Sequence, residues 1–186
     1  MSTSHCDVVV LGGGPAGSTF ASIVKKYRPQ ASVVVLEKAR FPRWHIGEST
    51  IPAANGVFKD LGVYDTLLRS DFVKKMGVTF VWGQDRQPWS ADYLTLRDTT
   101  GKAVPGSVID VTGQDFSALL GPGATHDTPY SAFNVRRAEF DKLLLDQSRH
   151  FGVDVREGTA ARQVVRGAAG QAHTIHWQDD QGHSGA

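Results

Sequence analysis

Two apolar runs separated by a helical period predict a βαβ unit at the start of the chain. The first run, Val8 to Leu11, stops at a glycine, as a parallel strand buried on both faces would. The second, Ala31 to Glu37, is rich in β-branched residues, and Pro29 ends the helix between them. The periodicity of that helix predicts one buried face, made of Phe20, Ile23, Val24 and Tyr27.

The remaining sequence predicts more elements around an irregular middle region. Residues 84–128 are rich in Gly, Pro, Asp and Thr, which indicates turns and short strands. The other predicted elements are a helix from Ala53 to Leu68 with a break at Gly62, a strand from Met76 to Trp82, a helix from Ala138 to Phe151, a strand from Val153 to Val155, and a hairpin from Gln163 to Trp177. The second of these helices is predicted to bury Phe140, Leu143, Leu144, Gln147 and Phe151.

Composition excludes several classes of protein. The 186 residues carry 20 basic and 19 acidic side chains, so the net charge of +1 gives no reason to expect a nucleic acid partner. No apolar run is long enough to predict integral membrane association. The single cysteine, Cys6, cannot form an intrachain disulfide framework, and we expect a cytoplasmic protein in which this residue is a small buried hydrophobe.

A glycine-rich turn joins the first predicted strand to the first predicted helix. The segment Gly12-Gly13-Gly14-Pro15-Ala16-Gly17 fits G-x-G-x-x-G, in which the glycines allow a tight turn, a close approach of a pyrophosphate and close packing of the helix. Glu37 follows Gly17 by 20 residues, where its carboxylate would accept a hydrogen bond from a ribose hydroxyl. We therefore predict a dinucleotide site at Gly12, Gly14, Pro15, Ala16, Gly17 and Glu37. The motif does not distinguish NAD from FAD.

The loop after the second strand resembles a known family. Residues 41–52, FPRWHIGESTIP, are similar to the segment F-x-R-x-H-x-G-E-S-x-x-P of flavin-dependent halogenases that act on phenols, pyrroles and related rings. The resemblance continues through residues 72–77, FVKKMG, and 135–141, VRRAEFD, and tryptophan halogenases share it more loosely. One position departs from the pattern V-D-R-x-x-F-D, because Arg136 replaces its first aspartate, and any capping by that acid is lost or supplied elsewhere.

The resemblance implies a fold and a chemistry. The fold would be α/β, a Rossmann-like FAD-binding domain of the aromatic hydroxylase and halogenase type with part of a mixed-sheet substrate region. The enzyme would use FAD as FADH2, supplied by a separate flavin reductase, and would need no metal. Reduced flavin, oxygen and chloride or bromide would yield hypohalous acid. That acid would halogenate a small electron-rich aromatic substrate, either free or tethered to a carrier protein.

The resemblance also assigns roles to individual residues. Lys75 matches the lysine that receives hypohalous acid beside the substrate, with Lys74 as the alternative. Alternation along a strand would place Lys75 with the small Gly77 and Thr79, which leaves room for a substrate. The further implied site residues are Glu48 and Ser49 near the flavin, and Arg43 and Arg137 as cofactor contacts.

The family pattern suggests how the chain is divided. We expect residues 1–82 to form the FAD-binding core with the flavin loop and lysine strand, residues 83–132 a substrate-region insertion, and residues 133–186 a return to the FAD domain. Later family motifs are absent, so we expect a truncated chain. The alternatives are a single-component FAD hydroxylase that oxidises NAD(P)H and an inert nucleotide-binding fragment. We further expect Trp44, Trp82 and Trp89 to pack in the core rather than line a substrate or flavin cavity.

Overall fold

The computed structural model describes residues 4–93, 95–97, 103–108 and 131–186. Its helices are α1 (Pro15–Tyr27), α2 (Ala54–Asp60), α3 (Tyr64–Arg69) and α4 (Arg137–His150). Its strands are β1 (Val8–Leu11), β2 (Val33–Glu37), β3 (Glu48–Ser49), β4 (Val73–Lys75), β5 (Gly77–Val81), β6 (Pro88–Asp92), β7 (Thr95–Arg97), β8 (Ala103–Val108), β9 (Ala132–Val135), β10 (Asp154–Glu157), β11 (Thr159–Val165), β12 (Thr174–Asp179) and β13 (Ser184–Gly185). These elements form two units, Met1–Ile46 with Arg136–Ala186, and Gly47–Val135.

A parallel sheet forms the centre of the first unit. Its strand order is β1-β2-β10, with β2 in the middle and both neighbours parallel to it. The predicted βαβ unit is therefore confirmed, and β10 adds a third strand from much later in the chain. A core cluster that includes Val10, Val35 and Leu145 is buried beside this sheet, and a separate antiparallel sheet of β11, β12 and β13 follows. Buried apolar strands of this kind are typical of parallel sheets covered by helices.

The helix α1 buries small residues instead of the predicted aromatic face. Ser18, Ala21 and Ser22 are buried, whereas Phe20 is 53% and Tyr27 63% exposed, so the predicted face is wrong at these two aromatic residues, although Val24 packs against the core. The reason is that α1 packs closely on α4. At this contact the hydroxyl groups of Ser22 and Ser148 lie 3.0 Å apart, which larger side chains would prevent.

Helix α4 has nearly the predicted bounds but a different buried face. Phe140 and Leu144 are buried as predicted, while Leu143, Gln147 and Phe151 are only half-buried. Their places in the core are taken by Asp141, Leu145 and Ser148. Polar residues occupy this face because they have partners there: Ser148 Oγ donates to the carbonyl oxygen of Ser18 at 2.9 Å, and Asp141 forms an ion pair.

The second unit contains a three-stranded antiparallel sheet of order β3-β9-β4. The helix predicted for 53–68 has the predicted break at Gly62, whose φ of +73° favours glycine, and it forms two short helices, α2 and α3. The region predicted as a strand with Lys75 is also divided. Strand β4 ends at Lys75 and pairs with β9, while β5 begins at Gly77 and pairs with β6. The expected alternation from Lys75 through Thr79 is thus interrupted at Met76.

The two units differ in their bounds from the three predicted segments. The predicted boundaries at 82 and 132 separate the FAD-binding regions from a substrate-region insertion, and this division stays a prediction. Part of the predicted insertion, 83–132, lies outside the described residues. Across the described segments, no helix is long and apolar enough to cross a membrane.

Candidate functional site

The glycine-rich turn lies between β1 and the N-terminus of α1. Gly12 has a φ of +102°, and a Cβ on Gly17 would stand 2.0 Å from the carbonyl oxygen of Gly12. Only glycine therefore fits at position 17 without a shift of the backbone. Pro15 is the first residue of α1, where its missing N–H costs no helical hydrogen bond. The turn has the close packing that a pyrophosphate-binding loop requires.

Glu37 is the last residue of β2 and is 5% exposed. Its carboxylate accepts hydrogen bonds from the N–H of Gly13 at 2.7 Å and of Ala39 at 2.8 Å. A carboxylate can accept about four hydrogen bonds, so these two contacts are compatible with a further one from a ribose hydroxyl. The predicted ribose contact stays a prediction. Glu37 also has a structural role that the sequence did not reveal.

A cavity of about 440 Å³ opens at the carboxyl ends of β1 and β2. Ligands of open α/β sheets bind at this end of the strands, and the volume lies within the usual range for small-molecule sites. Its lining includes Gly12, Glu37, Lys38, Arg43, His45 and Ala160. Two segments of the sequence thus form the cavity, the N-terminal βαβ unit with its following loop and strand β11.

Arg43 connects the cavity to helix α4. Its Nη2 atom lies 3.4 Å from Oδ2 of Asp141, and a Cβ on Gly14 would stand 3.6 Å from that same Nη2. The guanidinium also lies over the ring of Phe41, 4.7 Å from its centroid. Arg43 is therefore held beside the glycine turn, where a phosphate contact of the predicted kind is possible.

Arg137 lies in the first turn of α4 and pairs with Asp141 through two hydrogen bonds, of 2.6 and 3.0 Å. Asp141 is 1% exposed and contacts both Arg137 and Arg43. Sequence reasoning did not select Asp141 as a site residue. The signal was present, because an aspartate four residues after an arginine on a predicted helix is placed for an ion pair.

Arg136, the residue that departs from the family pattern, is the N-cap of α4. No side chain caps the helix there, and Arg136 instead pairs with Glu139 at 2.6 Å. Glu139 places an acidic group in the first turn, where it interacts favourably with the helix dipole. A first-turn acid is thus supplied, although from a different position.

The second unit holds the other predicted residues, Glu48, Ser49 and Lys75. Both β3 and β4 pair with β9, with Ser49 opposite Asn134 and Lys75 opposite Ala132. Paired residues of an antiparallel sheet share a face, and successive residues alternate between faces. Ser49 and Lys75 therefore lie on one face of this sheet, and Glu48 lies on the other.

The two adjacent lysines have different surroundings. Lys75 Nζ donates to the carbonyl oxygen of Thr50 at 3.3 Å and lies 5.6 Å from the ring centroid of Tyr93. Lys74 Nζ donates to the carbonyl oxygens of Leu67 and Leu68, each at 3.2 Å, at the end of α3. Burial lowers the pKa of the Lys74 ammonium. Lys74 thus closes a helix, while Lys75 lies beside the segment that resembles the halogenase loop.

The three tryptophans are not core residues, so that prediction is wrong. Trp44 is 89%, Trp82 82% and Trp89 55% exposed. Trp89 stacks on Phe80 across the β5–β6 hairpin, with ring centroids 4.3 Å apart. Cys6 is half-buried, and burial raises the pKa of its thiol. Among the residues that the structure describes, no group of three or more His, Cys, Asp or Glu could hold a metal ion.

The glycine turn, the buried acid at the end of β2 and the adjoining cavity are the features expected of a dinucleotide-binding α/β protein. A sequence model described as tryptophan halogenase matches residues 7–106. The chain therefore belongs to the tryptophan halogenase family.

Known proteins agree with this assignment. Over 153 residues the chain is 33% identical to the flavin-dependent halogenase armH4 of Armillaria mellea, a match that covers 82% of this chain and 24% of the relative. Over 166 residues it is 32% identical to the 1H-pyrrole-2-carbonyl-(peptidyl-carrier protein) chlorinase of Pseudomonas fluorescens, covering 88% and 33%. The solved structure of the myxobacterial chondrochloren halogenase CndH matches with a TM-score of 0.71 and 32% identity, covering 96% of this chain and 34% of that one.

The likeness to solved halogenase structures confirms the predicted α/β fold of the FAD-dependent halogenases. The chain spans about a quarter to a third of the length of the proteins it matches. Of the predicted site residues, the first unit contains the glycine turn, Glu37, Arg43 and Arg137, and the second contains Glu48, Ser49 and Lys75.

Proposed function

We propose that the protein is an FADH2-dependent halogenase that installs chloride or bromide on an electron-rich aromatic substrate, with Lys75 delivering the halogen. The observation that carries the proposal is the pairing of β3 and β4 with the same strand, β9. This pairing brings Lys75 Nζ to the carbonyl oxygen of Thr50, in the segment whose sequence resembles the halogenase loop. Family membership supports the same class of reaction.

The residues of the first unit fit FAD. The turn at Gly17 is so close to Gly12 that a Cβ would fill it, as expected of a loop that admits a pyrophosphate. Gly12, Gly14, Pro15, Ala16 and Gly17 would hold the pyrophosphate, and Glu37 would hold the ribose. Arg43 would contact a phosphate, and Arg137 would contact the cofactor from α4. When bound and reduced, the flavin supplies the oxygen chemistry that converts halide into hypohalous acid.

Lys75 is suited to transfer. Its ammonium has three N–H donors, and one of them is given to the carbonyl oxygen of Thr50. Another can hydrogen-bond the oxygen of hypohalous acid and hold the halogen toward a substrate ring. Ser49, on the same face of the sheet, would help to position it, and Glu48, on the opposite face, would act in the flavin step.

The partners follow from this chemistry. A separate flavin reductase would supply FADH2, and no metal would take part. A chlorinase of a carrier-bound pyrrole among the relatives supports a carrier-tethered aromatic substrate for this protein as well as a free one. The balanced charge and single cysteine support a cytoplasmic protein with no nucleic acid partner.

The test is a reconstituted reaction. The protein is incubated with a flavin reductase, NADH, FAD, oxygen and bromide or chloride, and with a phenol, a pyrrole and an indole. Mass spectrometry should show halogen in place of hydrogen in at least one product, with the isotope pattern of the halide supplied. Hydroxylated product alone, formed also without the reductase, would overturn the proposal in favour of a single-component hydroxylase.

A further inference from the structure

A buried carboxylate lies between the two arginines of the first unit. Asp141 is 1% exposed, Arg137 11% and Arg43 23%, measured on their side chains. Arg137 occupies both carboxylate oxygens, at 2.6 and 3.0 Å, and Arg43 Nη2 approaches the second oxygen at 3.4 Å. The three groups together carry one net positive charge. A buried carboxylate is stabilised strongly by guanidinium partners, and it fixes their positions in return.

The backbone near Arg43 is held by other carboxylates. Glu37 accepts the N–H of Ala39 at 2.8 Å, and Glu157 accepts the N–H of Phe41 at 2.5 Å. These contacts fix the chain just before Arg43. The direction of the long, flexible Arg43 side chain is set separately, by Asp141 and by the ring of Phe41.

The fixed direction is toward the glycine turn. The atom of Arg43 that approaches Asp141, Nη2, is also the atom that a Cβ on Gly14 would approach to 3.6 Å. Gly14 is the N-cap of α1, and no acidic side chain lies in the first turn of that helix. A guanidinium here adds positive charge to a helix N-terminus, and this arrangement favours an anion.

We propose that Asp141 is a positioning residue for the pyrophosphate of the dinucleotide. It acts through Arg43, whose guanidinium it holds beside Gly14. Because the negative charge of Asp141 offsets one of the two positive charges of Arg43 and Arg137, one net positive charge faces the ligand. The proposal rests on the proposed function only in taking FAD as the cofactor. Asp141 itself does not contact the ligand.

A double-mutant cycle tests the proposal. The dissociation constants of FAD, ADP and adenosine are measured for the wild type, Asp141→Asn, Arg43→Gln and the double variant. ADP carries the pyrophosphate and adenosine does not, so only ADP and FAD depend on Arg43. We expect each single variant to weaken ADP and FAD about tenfold and the double variant about tenfold also, because both act through one guanidinium. Adenosine should bind equally well to all four proteins.

Two further variants provide a control and a second test. Asp146→Asn makes the same change on the same helix, where the partners are Lys142 and Arg149, and it should leave all three affinities unchanged. If Asp141→Asn does not fold, Asp141→Glu replaces it in the test, because this substitution keeps the negative charge. The longer side chain displaces Arg43, so we expect Asp141→Glu alone to weaken ADP binding about threefold. In a protein that already carries Arg43→Gln, the same substitution should cause no further loss of ADP affinity.

The outcomes separate this proposal from the proposed function. Losses that multiply to about a hundredfold in the double variant, or an equal loss for adenosine, would show that Asp141 acts only on the general structure and would overturn the inference alone. Unchanged ADP affinity in Asp141→Asn would do the same. A wild-type protein that binds neither FAD nor ADP would overturn the inference and the proposed function together.

Discussion

The carboxylate of Glu37 accepts a hydrogen bond from the backbone N–H of Gly13 at 2.7 Å. The acid that ends β2 therefore stabilises the glycine turn between β1 and α1. A second bond, from the N–H of Ala39, ties the same carboxylate to the following loop. One buried side chain thus supports both the glycine turn and the loop after β2, in addition to its predicted contact with the ribose.

Replacement of Glu37 should affect both stability and binding. Glu37→Ala leaves the N–H groups of Gly13 and Ala39 without their acceptor, so we expect the free energy of unfolding to fall by about 2–3 kcal/mol. The FAD dissociation constant should rise about tenfold for the lost ribose bond. Urea unfolding and flavin titration measure the two effects. Unchanged FAD affinity would remove Glu37 from the ligand site.

A matched control is Glu139→Ala, because Glu139 is an exposed acid paired with Arg136. An exposed ion pair contributes little, so its loss should cost less than about 1 kcal/mol. The FAD affinity of this variant should equal that of the wild type.

Two glycine-to-alanine substitutions should have opposite effects. A Cβ on Gly17 would collide with the carbonyl oxygen of Gly12, so Gly17→Ala should lower the free energy of unfolding by at least about 2 kcal/mol and abolish FAD binding. Gly56 lies in α2 with nothing within 4 Å of its ideal Cβ. Gly56→Ala should therefore stabilise the protein by about 0.5–1 kcal/mol. Thermal unfolding checks both, and equal Tm changes for the two variants would contradict the prediction.

Substitutions of the two lysines should separate halogen transfer from stability. Lys75→Ala should abolish halogenated product while oxidation of reduced flavin continues, because the loss is confined to the transfer step. Lys74→Ala should retain halogenation but lower the free energy of unfolding by about 1–2 kcal/mol, since two helix-terminal carbonyl groups and the ring of Phe133 lose their cation. Product analysis, flavin absorbance and urea unfolding provide the measurements. A Lys75→Ala protein that still halogenates would exclude this lysine from transfer.

The faces of the β3-β9-β4 sheet predict a difference between Glu48 and Ser49. Ser49 shares a face with Lys75, so Ser49→Ala should reduce halogenated product about tenfold without changing the rate of reduced-flavin oxidation. Glu48→Gln changes the other face, and because Glu48 is the residue proposed for the flavin step, this variant should alter flavin oxidation instead. Parallel assays of product and of flavin absorbance test this. If Ser49→Ala changed flavin oxidation and Glu48→Gln changed only the halogenated product, the two faces of the sheet would not separate halogen transfer from flavin oxidation.

The sequence predicted the βαβ unit because the signals were local. The apolar runs, the glycine turn and Pro29 each lie within or next to the element that they define. The two helix faces were predicted less well, since periodicity favours large apolar residues. Close packing of α1 on α4 instead selected Ser18, Ser22 and Ser148, which no single-helix pattern can indicate.

The candidate site shows the same limit. The family-like segments named Arg43, Arg137 and Lys75, but Asp141 was missed because its importance depends on a contact with Arg43 nearly a hundred residues earlier. The surroundings of Lys74 and Lys75 likewise depend on pairing with β9, and the interruption at Met76 could not be seen in the alternation of residues.

The third strand of the parallel sheet has a consequence for the order of folding. Strand β10 pairs with β2 from Asp154 onward, and α4 covers the core beside them, so neither can contribute until the ribosome has synthesised the whole of Gly47–Val135. Contacts between such distant segments form slowly because a long loop must close first. During synthesis the paired strands β1 and β2 therefore expose the edge of β2 that β10 later covers, together with part of their apolar surface. We therefore expect this interval to be the one in which the nascent chain is most prone to pair with other chains.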